Sequence, residues 1–92
     1  MIRIVNSRDH VKNTLRKIVS IELTRVGIVI HDCMLHEKNG KQWIAFPSRE
    51  WRGQDGERRF SPIIEFAEGA TEARKRFQEM ALAALSETAD QD

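Results

Sequence analysis

With 92 residues, 40% of them hydrophobic and 32% charged, the chain suits one globular domain and is too apolar for a disordered one. The single cysteine, Cys33, excludes an intrachain disulfide; no apolar run reaches membrane-spanning length, and Arg3, Arg8 and Asp9 interrupt the apolar residues a secretory signal needs, so a cytoplasmic protein is expected. The net charge of +1 conceals an asymmetry, because residues 1–62 hold 12 Lys and Arg against 7 Asp and Glu, whereas residues 63–92 hold 3 against 7. A basic front and an acidic tail fit nucleic-acid binding with self-shielding, head-to-tail electrostatics between subunits, or plain solvation of a small domain.

Residues 1–14 read as an N-terminal arm or an extra strand ahead of a ββββα domain over 15–86. In the first strand, Leu15, Lys17, Val19, Ile21 and Leu23 alternate with Arg16, Ile18, Ser20 and Glu22. Gly27 supplies the reversal into a second strand, Ile28 to His36. Asn39-Gly40 is the strongest hairpin signal in the chain and leads to a third strand, Gln42 to Phe46, which Pro47 ends. A polar loop from Ser48 to Glu57 follows, with a turn signal at Asp55-Gly56, and Arg58 to Phe66 reads as the fourth strand.

From Ala70 the period changes to that of a helix, with Ala73, Phe77, Ala81, Ala84 and Leu85 on one face, Met80 beside them and Thr71 as N-cap. An acidic, frayed tail is expected over 87–92. The fold class is therefore α+β: a four-stranded antiparallel meander sheet with one C-terminal helix, in two layers. Ile18, Val29, Cys33, Leu35, Trp43 and Ala45, taken with the opposite set, are more than one helix can hide. A thin core in a chain this short adds to that pressure, and a homodimer is expected, with a second subunit or a ligand over the other sheet face.

Four segments stand in a telling order: Ile28-Val29-Ile30-His31-Asp32, Trp43-Ile44-Ala45-Phe46-Pro47-Ser48-Arg49, Asp55-Gly56-Glu57 and Ser61-Pro62-Ile63. From about Ile18 to Leu85 the chain resembles the SpoVG family, whose members carry a strand ending in His, a Val-Ala-Met-Pro-Ser-Arg/Lys-like motif, an Asp-Gly turn, an aliphatic strand with Pro-Ile and a C-terminal helix. The resemblance implies a small dimeric bacterial regulator linked to septation and sporulation that binds nucleic acid and is not an enzyme. By the same analogy Ser48, Arg49 and the basic positions after them fall where binding is expected. Phe46 replaces the usual Met, the segment Glu50-Trp51-Arg52 has its own character, and residues 1–13 depart from the family's first strand, as in a divergent or phage-borne relative.

Nucleic-acid binding needs cations for phosphates and flat groups for bases. Arg49, Trp51, Arg52, Arg58 and Arg59 supply both on or beside one loop, with Lys38 and Lys41 on the neighbouring Asn-Gly turn and Ser48 at the loop's start. The mixture suits DNA or RNA single strands. The competing reading packs Trp51 into a subunit interface or against the sheet while Glu50, Asp55 and Glu57 neutralise the arginines; the protein would then be an interaction adaptor with Trp51 as its hot spot. Trp43 is expected in the core, and Arg74-Lys75-Arg76 on a solvated helix face.

His31, Cys33 and His36 do not make a metal site, because strand alternation sets His31 and Cys33 on one face and His36 on the other, and a fourth ligand is missing. Cys33 sits within a strand with nothing to activate it as a nucleophile. Paired carboxylates at Asp32, Glu22 and Glu65 read as solvated, and no phosphate-cradling glycine loop occurs. Neither a metal nor a cofactor is expected.

Overall fold

Alternation of apolar and polar side chains assembles β1 (Ile2–Lys12), β2 (Leu15–Leu23), β3 (Ile28–Lys38) and β4 (Lys41–Ala45) into one antiparallel sheet, each strand beside the next in chain order. The computed structural model describes residues 1–90, with side chains as far as Glu87. A single helix, α1 (Thr71–Asp90), covers one sheet face, so the class is α+β. Phe77, Ala81 and Leu85, spaced four residues apart, form its buried stripe against Val19, Ile21, Ile30, Cys33, Leu35 and Ile44. Among the described residues no helix is long and apolar enough to cross a membrane.

The sheet's fourth strand is not Arg58 to Phe66 but the N-terminal segment Ile2–Lys12, which pairs along β2 with Ile4 opposite Ile21. The segment expected as a polar loop divides: Ser48–Arg52 forms β5 and pairs with β6 (Arg58–Pro62) in a separate two-stranded sheet, leaving Gly53 to Glu57 as the turn. All five residues of β5 are exposed, so it lacks the half-buried alternation by which a strand is recognised. The molecule is 47 Å along its longest axis, and the radius of gyration, 14.3 Å, exceeds the roughly 12 Å of a compact domain this long.

The hairpin is clamped where it leaves the body. Phe46 precedes β5 and Phe66 follows β6; their rings lie 5.5 Å apart, and both meet Phe77 of the helix at 5.0 and 5.6 Å. At the same root Ile63 N donates to the Pro47 carbonyl. Asn39 and Gly40 both take positive φ, 53° and 79°, which is the two-residue turn that Asn-Gly favours. At the helix start the first bond runs from Arg74 N to the Ala70 carbonyl. Ala70 therefore occupies the capping position, not Thr71, because the turn through Gly69 brings the chain into the helix one residue early. The helix continues through Asp90, into the stretch read as a frayed tail; residues 91 and 92 lie outside the described residues.

A shift in β3 changes which side chains face which way. Val19 pairs with Cys33 and Ile21 with Ile30, so β3 holds one residue more than β2 between these pairs, and Asp32 takes φ 59° there. Cys33 and Leu35 consequently join the core beneath the helix rather than the second face, where unbroken alternation puts them with Ile18, Val29, Trp43 and Ala45. Trp43 in turn lies outside the core: its neighbour Ile44 takes the buried position, and Trp43 stacks on His36 across the strands on the opposite face, 5.3 Å between centroids.

At the outer edge of the sheet, β4 has no further strand. Gln78 stands in for one, its Oε1 accepting from Ile44 N and its Nε2 donating to the Ile44 carbonyl, both at 2.8 Å. Replacing Gln78 by Leu leaves both backbone groups unpaired in a half-buried setting and should cost about 1–3 kcal/mol. Urea unfolding of Gln78→Leu should show a lower midpoint at unchanged slope, with Gln78→Glu, which keeps the acceptor only, falling between it and the wild type.

Candidate nucleic-acid interface

Pairing within the hairpin sorts its side chains by face. Trp51 lies opposite Arg59 and Arg49 opposite Ser61, so these four share one face. Glu50 opposite Phe60, Arg52 opposite Arg58 and Ser48 opposite Pro62 share the other. The expected cationic cluster is thereby split. Arg49, Trp51 and Arg59 come together, whereas Arg52 and Arg58 point away from them.

Trp51 is not folded into the body; it remains 43% exposed. Its indole N–H donates to Ser61 Oγ at 2.9 Å, and the Arg59 guanidinium carbon lies 5.9 Å from the ring centroid. Arg59 is fixed from the turn by an ion pair with Asp55 at 2.9 Å, and the second Asp55 oxygen accepts from Glu57 N. Gly53 keeps this arrangement compact: a Cβ there would lie 2.5 Å from Arg59 Nε and 2.9 Å from Asp55 Oδ1. Ser61 and Asp55 were not among the expected site residues. Their signal was the turn at Asp55-Gly56, which sets Ser61 diagonally across from Trp51 once the segment is read as a hairpin.

Carboxylates do engage part of the cluster, as the competing reading anticipates. Arg58 pairs with Glu50 at 2.6 Å, while Arg52 donates to the Gly56 carbonyl instead. Arg49 forms no hydrogen bond or ion pair among the described residues and stands two residues before Trp51, on the same face. The paired arginines remain half or more exposed, and exposed pairs of this kind contribute 0 to about 1 kcal/mol each, which a phosphate oxygen can replace.

Lys38 and Lys41 do not join the hairpin. They flank the Asn39-Gly40 turn at the start of β4, whereas β5 begins beyond its end, about 20 Å of extended chain away. A strand carries the chain away from its own turn, so closeness in sequence here means separation in space.

The sheet face away from the helix carries a second feature. Ile18 and Met34 form the floor of a groove walled by Pro47, Phe60 and Ile63, with Arg8 and Asp32 also on its boundary. Phe60 and Ile63 are 64% and 65% exposed. Because of the extra residue at Asp32, His31 and His36 share this face and Cys33 does not, the reverse of the expected placement. Ser20 Oγ bonds His31 Nδ1 and Thr14 Oγ1 bonds His36 Nδ1, each at 2.9 Å. No group of three or more His, Cys, Asp and Glu side chains converges as a metal site among the described residues.

No protein-family model matches the chain, and no curated protein is significantly similar to it.

Cys33 is fully buried, and its thiol is pushed up from 9.0 to about 11, first by burial and second by the Asp32 carboxylate. At pH 8 the native thiolate fraction falls about two orders of magnitude below that of the unfolded chain, and access is closed as well. A disulfide reagent should therefore label Cys33 only after denaturant is added. The raised value also favours the folded state below about pH 9, and this contribution should fade as pH climbs towards 11, where both states ionise. Urea midpoints measured from pH 8 to 11 should fall less in Cys33→Ala than in the wild type.

Proposed function

We propose that the protein is a small nucleic-acid-binding regulator of the SpoVG type that holds single-stranded DNA or RNA on the β5–β6 hairpin. The observation that carries this reading is the half-exposed indole of Trp51, anchored by Ser61 and bordered by Arg49 and Arg59 on one hairpin face. A base stacks on the open part of the ring, the guanidinium groups meet the flanking phosphates, and Arg49 is available without breaking an existing pair. Binding is electrostatic first and weakly selective second.

The protein acts in this reading as a homodimer. The exposed Phe60 and Ile63 border a groove floored by Ile18 and Met34, so one surface carries both an apolar knob and an apolar recess. A twofold axis can seat the knob of each copy in the recess of the other, which is the self-complementarity an isologous contact requires. The same exposed apolar residues favour the second reading, an adaptor that docks another protein by this face without touching nucleic acid.

Titrating single-stranded DNA and RNA at low salt should quench Trp51 fluorescence, with affinity falling steeply as salt rises. Trp51→Ala should weaken binding by about 1–3 kcal/mol. Arg49→Ala should weaken it across sequences and flatten the salt dependence by about 0.7 in the logarithmic slope. Absence of quenching and of any mobility shift would leave the adaptor. Sedimentation should return a dimer for the wild type and a monomer for Phe60→Asp; a wild-type monomer at every concentration would remove the twofold contact.

A further inference from the structure

At the root of the hairpin, on the side of the helix, lies a pocket of about 280 Å³ lined by Phe46, Ile64 and Phe66 and by the polar side chains of Ser48, Glu65 and Arg74. Gln78 also reaches it, but its amide is committed to Ile44. The Glu65 carboxylate, the Arg74 guanidinium and the Ser48 hydroxyl make no hydrogen bond or ion pair among the described residues. The carboxylate and the guanidinium are both exposed and border one pocket without pairing, which leaves them available to a ligand presenting N–H donors to the first and negative charge to the second. The volume lies at the small end for ligand sites, below that of a peptide or a large cofactor and suited to one flat heterocycle.

We propose that this pocket is a base-selective subsite of the hairpin, which takes one unstacked base bearing an exocyclic amino group from the bound single strand. The inference rests on the hairpin reading above and extends it from sequence-tolerant stacking to selection. Ser48, on the pocket wall, immediately precedes Arg49 but points to the other face of β5, which is an edge strand, so a strand whose phosphate lies on Arg49 passes round that edge to set its neighbouring nucleotide at the opening. The aromatic rings of Phe46 and Phe66, tilted 37° to one another, supply apolar walls for the heterocycle. Glu65 accepts from the amino group, and Arg74, four residues before Gln78 along the helix, meets the phosphate of the inserted nucleotide. Thymine and uracil, which present a carbonyl where cytosine presents its amino group, set an acceptor against the carboxylate and are rejected.

The test compares oligo(dC) with oligo(dT) of equal length at pH 7.5, for wild type and Glu65→Gln, a substitution at an exposed position that preserves size. The wild type should prefer oligo(dC) by about five- to a hundredfold, the range of one good base contact, and Glu65→Gln should bring the ratio near unity while oligo(dT) still quenches Trp51. In parallel, the Ile64 methyl resonances should shift on adding oligo(dC) and stay in place with oligo(dT). Quenching by both oligonucleotides at equal affinity, or an Ile64 signal unmoved by oligo(dC), overturns the subsite and leaves the hairpin reading intact. Absence of binding by either oligonucleotide overturns both.

Discussion

An extra residue in one strand sets which way the second half of β3 faces. Between the pairs Val19–Cys33 and Ile21–Ile30, β3 accommodates Asp32 in a left-handed backbone conformation, and every side chain after it changes face relative to an unbroken alternation. That displacement directs Cys33 and Leu35 towards Phe77, Ala81 and Leu85, and it directs Met34 and His36 outward. Removing it while keeping the pairing of the first half would turn His36 and Met34 towards the helix, where an imidazole has no partner. The β3 side of the core, the Met34 side of the apolar recess and the stacked His36–Trp43 pair all depend on this irregularity.

The hairpin follows a different physical logic, because it has almost no core of its own. Two-stranded sheets are marginal in water, and all five residues of β5 are exposed. Its order comes from both ends. Phe46 and Phe66 close the base through the aromatic cluster with Phe77, while Asp55 organises the turn by holding Glu57 N and Arg59 at once. Between these fixed points, Trp51 is braced by Ser61 and Arg59. The indole is held outward on a short ribbon with both ends tied, so little rotamer freedom is left to lose when a flat ligand stacks on it.

What could be read from the chain follows from how much burial each segment undergoes. Val19 and Ile21 alternate with Ser20 and Glu22 because the helix face of β2 is packed; Asn39-Gly40 announces its turn through backbone geometry alone; and Phe77, Ala81 and Leu85 repeat at the helical period. The pairing of Ser48–Arg52 with Arg58–Pro62 left no such trace, since a strand exposed on both faces carries no apolar rhythm. The shift at Asp32 was equally silent: aspartate tolerates positive φ, but nothing local says that a given aspartate adopts it. Of the candidate site, the residue types were legible and their partition was not. Arg49, Trp51 and Arg59 share a face, whereas Arg52 and Arg58 oppose them and Lys38 and Lys41 lie at the far end of β4, all of which is decided by register.

The carboxylates around the hairpin are best understood as positioning groups. Asp55 holds Arg59 near the indole, and Glu50 holds Arg58 on the opposite face, yet each pair is exposed and exchanges readily with solvent and salt. A phosphate that displaces Asp55 from Arg59 inherits a guanidinium already oriented, while Asp55 retains its bond to Glu57 N and with it the turn. Excess positive charge on such a slender element would bring like-charge repulsion between Arg52 and Arg58, which stand directly opposite one another, and non-specific adhesion to any polyanion. Interleaved acids reduce both. Among the described residues they leave Arg49 unpaired on the Trp51 face, so under the proposed reading the site would attract phosphate weakly at long range and discriminate at short range by what can lie flat on Trp51.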